Sequence, residues 1–206
     1  VKYKFLSMLF VLLFIIVFSS CADNSTIKIN TLQANEKLAY QKHNDPNDIN
    51  KIEIVITTTG KQVREIFKYS GYGFWITNEN QSKDGNWITF LVTTQKGNSI
   101  TPSNVELWYV DGLAGFAKRL YLSINIGYSI DTSGQIICIY DFLKSKKTPT
   151  IDLYKFPSME YLQTVQVPEF TDKGTAPDSM TFLNNKFIIE LSNDGPDYKT
   201  IEIPIK

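Results

Sequence analysis

The chain of 206 residues has one histidine, His43, and two cysteines, Cys21 and Cys138. A Ser-His-Asp site would need His43 as its base, and His43 opens a polar stretch, His43 to Asn50, whose composition predicts a turn-rich loop. Zinc wants several Cys or His ligands, which one histidine and one buried cysteine, Cys138, cannot supply. Asp45 and Asp48 lack EF-hand spacing and read as solvated loop acids. No metal or other cofactor is expected. The chain lacks a basic run, and its 21 Lys and Arg meet 21 Asp and Glu, which argues against nucleic acid as a partner. No amphipathic helix is visible. Gly127-Tyr128-Ser129-Ile130-Asp131 imitates a nucleophile elbow, but it lacks the second glycine and leads into a strand where the elbow needs a helix. No catalytic residue is nominated on these grounds. Paired carboxylates for glycoside hydrolysis stay open, because they can come from distant strands.

What is present begins at the first residues. Lys2 and Lys4 precede an uncharged apolar run, Met8 to Phe18, and then come Ser19, Ser20 and Cys21. A basic start, a short apolar segment and small residues make a secretory signal. With the cysteine directly after the small pair, Phe18-Ser19-Ser20-Cys21 resembles a bacterial lipoprotein signal. The resemblance implies that Cys21 is diacylated on its sulfur and becomes the mature N-terminus, with membrane lipid as its partner. More than one acyl chain gives stable anchoring. Ala22 stands where inner-membrane retention uses Asp. The implied place is the outer membrane of a cell with two membranes, or otherwise the outer face of the cell membrane. The alternatives are a plain secretory signal and an uncleaved membrane helix, although Phe5 to Phe18 is shorter than the roughly 20 residues a span needs. Without residues 1–20 the chain loses two lysines and turns slightly acidic. If Cys21 carries lipid, Cys138 has no disulfide partner. Its apolar surroundings, Gln135 to Tyr140, predict a buried, inert thiol.

The rest of the chain repeats with a period near fifty. An apolar-acidic-apolar triplet recurs as Ile52-Glu53-Ile54, Val105-Glu106-Leu107, Ile151-Asp152-Leu153 and Ile201-Glu202-Ile203. Alternation sets the acid on one face of a strand and the apolar pair on the other. Before three of them a tight turn leads into a more apolar strand: Asp84-Gly85 into Trp87–Thr93, Ser133-Gly134 into Ile136–Tyr140, and Asn184-Asn185 into Phe187–Leu191. Two-residue hairpin turns are expected there. A more polar strand follows the acidic one at Val63–Phe67, Ala117–Leu122 and Met159–Val165. A short strand precedes each turn at Phe74–Thr77, Tyr128–Ile130 and Met180–Leu183. Four antiparallel strands per unit, running from apolar to polar, read as β-propeller blades. The fold expected is an all-β, propeller-like array of four-stranded antiparallel blades, four-bladed if the ring closes. The alternative is a β-sandwich whose strands repeat by chance. The segments are residues 1–20 as signal, 21–50 as lipidated N-terminus and polar tether with a closing strand, and 51–206 as the repeat domain. Thr26–Leu32 is expected to close the ring beside Ile201–Ile203, and Leu38–Gln41 to begin the first blade.

Ser82-Lys83-Asp84-Gly85-Asn86-Trp87-Ile88-Thr89-Phe90, then Val105 to Gly112, then Lys118-Arg119-Leu120, resemble a TolB-type propeller repeat, with Lys83 where that repeat has Pro. The resemblance implies a module that docks envelope lipoproteins and other proteins. The next unit has an extra residue between Asp131 and Gly134. The four strand acids occupy equivalent positions, which spreads them around an array and gives them the role of a polar face between or outside blades. Trp87 and Trp108 are expected in the core. Tyr72, Phe74 and Trp75 fall on a first, axis-facing strand and are the candidate ligand-contacting residues, since an aromatic at an axial mouth can stack on sugar or clamp a peptide. The expected function is a membrane-anchored, non-enzymatic binding module for a protein or envelope component. The alternative is a carbohydrate-binding protein or glycan-acting enzyme using the axial mouth.

Overall fold

The computed structural model describes residues 26–60, 62–72, 79–94, 104–124, 126–131, 133–141, 150–167, 179–183, 186–192 and 198–204. Among them the chain is all strand and turn. A short β1 (Thr26–Lys28) precedes three strands that form a first sheet, β2 (Lys37–Asp45), β3 (Asp48–Thr59) and β4 (Glu65–Tyr72). The second sheet holds β5 (Glu79–Gln81), β6 (Trp87–Thr94), β7 (Asn104–Asp111) and β8 (Phe116–Ser123), with β1 added outside β8. The third holds β9 (Ile126–Ile130), β10 (Ile136–Asp141), β11 (Thr150–Lys155) and β12 (Tyr161–Gln166). The fourth holds β13 (Ser179–Leu183), β14 (Lys186–Ser192) and β15 (Tyr198–Pro204). Every pairing is antiparallel.

Strand alternation explains how these sheets stack. On β6 and β7 the even-numbered Ile88, Phe90, Val92, Trp108 and Val110 pack with Leu38, Ile52, Ile54 and Ile56 of the first sheet. The odd-numbered Leu91, Val105, Leu107 and Tyr109 pack with Tyr128, Ile137, Ile139 and Phe156 of the third. The third sheet repeats the device: Cys138, Tyr140, Ile151 and Leu153 face Phe187, Ile189 and Ile203 of the fourth. Burying a Leu, Ile or Phe contributes about 1.5–3 kcal/mol, so each middle sheet is held by both faces. A two-sheet sandwich has no sheet covered twice. The fold is a propeller-like array of antiparallel sheets stacked in chain order.

The end sheets differ from the middle ones. In the first three sheets the apolar pair of the repeated triplet faces the following sheet. In the fourth, Ile203 lies opposite Phe187 and faces back to the third sheet. The first and fourth sheets therefore turn their acids away from the stack. Each outward face carries an exposed ion pair, Glu53–Lys68 and Glu202–Lys186, both at 2.6 Å. A polar outer face is what a terminal repeat needs for solubility.

Three expectations are corrected. Thr26–Leu32 does not pair beside Ile201–Ile203: β1 binds β8, with Thr26 opposite Lys118. The chain beyond it is held to the second sheet by Ile29 N–H to Gly115 O at 3.0 Å and Leu32 N–H to Gly112 O at 2.8 Å. Gly112 and Gly115 leave room for this approach, since a Cβ at either would lie within 2.8 Å of Leu32 or Thr31. Arg64 then ties this strap to the first sheet, donating from Nε to Glu36 Oε1 at 3.0 Å and from Nη2 to Thr31 O at 3.1 Å. Second, His43 to Asn50 is not a loop. His43 lies within β2 opposite Glu53, and Asp45 pairs with Asp48 around Pro46-Asn47. The Asp45 carboxylate accepts from the Asn47 amide at 2.8 Å and meets Lys51 at 3.2 Å. So β2 and the start of β3 lie before residue 51, and Leu38–Gln41 falls within the first sheet. Third, the turns at Asp84-Gly85 and Ser133-Gly134 are not two-residue hairpins. Gly85 N–H donates to Ser82 O and Gly134 N–H to Asp131 O, both at 2.9 Å. Among the described residues of these turns only the glycines are left-handed, with φ of 77° and 69°. This is a β-turn followed by a glycine bulge.

Candidate binding cleft between equivalent turns

The two turns are equivalent in space. Ser82 N–H closes on Trp87 O at 3.1 Å, and Asp131 N–H closes on Ile136 O at 2.9 Å. Gly85 and Gly134 each stand three residues after the first turn residue, so there is no extra residue before Gly134. Stacking of the second and third sheets brings these turns to either side of a cleft of about 450 Å³. Ser82, Lys83 and Asp84 line one wall, Asp131, Ser133 and Gly134 the other. Trp87 forms the apolar part of the lining, half-buried, with Phe156 and Tyr109 packed at ring-centroid distances of 5.0 and 6.2 Å. Asn80 and Gln81 of β5 and Ile130 of β9 complete it.

The carboxylates of the cleft are committed to its walls. Asp131 Oδ1 accepts from the amides of Gln135 at 2.7 Å and Ile136 at 2.8 Å, and Oδ2 accepts from the hydroxyl of Ser133 and from its amide at 3.3 Å. Ser82 Oγ accepts from the amides of Asn86 at 2.9 Å and Trp87 at 3.0 Å. Asp84 takes the Asn86 amide at 3.2 Å and its side-chain N–H at 2.6 Å. Bonds from Ser82 and then from the Asn86 amide hold the Asp84 carboxyl below its ordinary range. Such a site offers hydroxyls, charged acceptors, one lysine and an indole edge. It suits a polar ligand held by hydrogen bonds, and Asp84 is stabilised as a carboxylate, unsuited to donating a proton.

The strand acids do not converge. Glu53 pairs with Lys68, Glu106 with Arg119 at 3.1 Å, and Glu202 with Lys186, while Asp152 accepts from Thr164 at 2.6 Å. Glu106 is buried and also accepts from Trp108 Nε1 at 2.7 Å and from the Tyr69 hydroxyl at 3.3 Å, which bridges the first and second sheets. Burial and that carboxylate push the Tyr69 hydroxyl pKa well up. A charge so fully bonded is a packing element. Trp108 is core, and Cys138 is buried, donating to Ser129 O at 3.3 Å, with its thiol pKa raised by burial. Among the described residues no three His, Cys, Asp or Glu side chains form a metal-holding group.

Tyr72 ends β4, opposite Lys51 on the edge of the first sheet, so its backbone does not lie on the short strand that opens the second sheet. Phe74 and Trp75 lie outside the described residues, as do Cys21, the 1–20 segment, the Phe74–Thr77 strand and the Asn184-Asn185 turn. The cleft was hidden in the sequence because its walls are about fifty residues apart. Its one signal was the glycine recurring at the same place in consecutive turns.

No family model matches the chain, and no curated protein matches it. Among solved structures it is similar to the β-propeller domain of the Trilobed protease from Pyrococcus furiosus, at 15% identity and a TM-score of 0.43, over 81% of this chain and 53% of that one. It is also similar to prolyl oligopeptidase B from Galerina marginata, at 12% identity and a TM-score of 0.43, over 83% of this chain and 28% of that one. Pyrococcus horikoshii acylaminoacyl peptidase matches at 12% identity and a TM-score of 0.34, over 81% of this chain and 32% of that one. The chain spans about half or less of the length of these structures.

Proposed function

We propose that the chain is an exported lipoprotein, anchored through Cys21, whose sheet array acts as a non-enzymatic binding module for a protein or another envelope component. The observation that carries the reading is the cleft between the Ser82–Gly85 and Asp131–Gly134 turns, where a rigid polar lining surrounds one aromatic edge and both carboxylates are committed to the turns. Preorganised polar groups around an apolar patch are the usual make-up of a ligand site. The same lining favours a second reading, recognition of a carbohydrate, because hydroxyl-bonding acids stand beside an indole; Tyr72, Phe74 and Trp75 stay proposed contacts in that reading.

The test is capture from solubilised membranes by the wild-type protein and by Lys83→Glu, an exposed substitution that reverses the charge of one wall. A stoichiometric protein partner whose capture falls at least about tenfold with Lys83→Glu, a loss of about 1.4 kcal/mol, supports the first reading. A glycan-array signal that falls in the same way, without a protein partner, supports the second. Capture unaffected by the substitution overturns the cleft as the site.

A further inference from the structure

We propose that the end of the second sheet formed by Leu122 and Ile124 rests on the phospholipid bilayer; the proposal rests on the reading of Cys21 as the acylated residue. β1 runs antiparallel to β8 with Thr26 opposite Lys118, so the N-terminal end of β1 points along β8 toward Ser123. A chain reaches at most about 3.6 Å per residue, which keeps Cys21 within about 18 Å of Thr26. The stretch of β8 from Lys118 to Ser123 is itself about 17 Å at the usual strand rise. The chain enters β1 from the Ser123 side, so the proposal sets the acyl anchor at Cys21, and with it the bilayer, at this end of the sheet.

That end presents aliphatic side chains. Leu122 is 46% exposed and Ile124 48% exposed, at the end of β8 and in the bend beyond it. Ile27, 42% exposed, stands opposite Ala117 nearer the other end of β8 and is no part of this contact. Water gains nothing from these groups, whereas the acyl–headgroup boundary accepts them and adds to the hold of the lipid chains. Tethering makes this second contact intramolecular, so even a weak apolar pair stays engaged. Leu113 lies at the opposite end of β8, in the turn after β7, and is 60% exposed. The proposal assigns it to the face turned away from the membrane.

The experiment uses the full lipidated chain in phosphatidylcholine–phosphatidylglycerol vesicles, with an environment-sensitive fluorophore on Ile124→Cys or on Leu113→Cys. The buried Cys138 and the acylated sulfur of Cys21 leave the introduced thiol as the reactive one. Relative to the unlipidated Cys21→Ser protein in buffer, the label at 124 is expected to shift to the blue, brighten several-fold and be quenched by brominated lipid. The label at 113 is expected to stay unchanged. Leu122→Cys serves in the same way if Ile124→Cys fails to fold, judged by circular dichroism. A silent label at 124 and 122 in protein whose mass shows diacylated Cys21 overturns the docking and leaves the anchor standing. A shift at 113 in their place overturns the orientation. A mass showing unmodified Cys21 overturns the anchor, and the docking with it.

Discussion

The turns at Ser82–Gly85 and Asp131–Gly134 have one backbone and two chemistries. Ser82 and Asp131 open them, Asp84 and Ser133 follow, and a left-handed glycine closes each. In the first, a hydroxyl gathers the amides that enter β6 and the carboxylate sits further out. In the second, the carboxylate gathers the amides that enter β10 and the hydroxyl sits on it. The fold requires an acceptor at the first position and a residue free of Cβ strain at the fourth. It is indifferent to which of Ser and Asp supplies the acceptor.

The largest expected effect separates the two glycines. Gly85→Ala forces a Cβ to 2.7 Å from Lys37 Cβ at a φ of 77°, whereas the Cβ of Gly134→Ala meets only the Trp87 ring edge at 3.3 Å. Left-handed strain alone costs about 1–2 kcal/mol, so Gly134→Ala is expected near that value and Gly85→Ala roughly 1 kcal/mol beyond it. Denaturant melts of both variants check this; equal losses would show that the Lys37 contact is irrelevant. Next is removal of the acceptors. Asp131→Ala leaves three amides without a side-chain partner and is expected to cost roughly 2 kcal/mol, against about 1 kcal/mol for Ser82→Ala. The reverse order would break the account of which atom organises each turn. Smaller still is exchange of the acceptors: Ser82→Asp and Asp131→Ser are each expected to stay within about 1 kcal/mol of wild type.

The smallest effect is with pH. The folded Asp84 carboxyl titrates below its ordinary value, so the stability it contributes is complete above about pH 4 and is lost as pH falls through the lower folded value. Because Ser82 is the leading cause, Ser82→Ala is expected to raise the Asp84 pKa toward that of an unperturbed aspartate, read by NMR titration of the carboxyl carbon. An unmoved titration would assign the shift to the Asn86 amide alone.

The repeat was legible because a strand buried on both faces must read as a nearly continuous apolar run. That placed β6, β10, β11 and β14 within a residue or two, since Ile88, Phe90, Ile137 and Ile139 can occupy only interior positions. Where side chains are solvated on both faces the pattern carries no such information. The His43 end of β2 is exposed and polar, and composition alone makes it look like a loop. β1 is three exposed residues whose place is set by backbone bonds to an edge and by glycines 80 and more positions away. The direction of the fourth triplet was hidden for a different reason: one-residue alternation fixes that Ile201 and Ile203 share a face, while which neighbour that face meets depends on the stack.

The strap from Thr26 to Glu36 has a mechanical consequence. It lies lengthwise on the edge of β8 and then crosses to Arg64 in the first sheet. A pull from the N-terminal side loads the Thr26–Lys28 bonds in shear, side by side, and cannot peel them one at a time. Once they yield, the load passes to the bonds at Gly115 and Gly112 and then to the guanidinium clip, so tension is shared by two sheets before either is torn open.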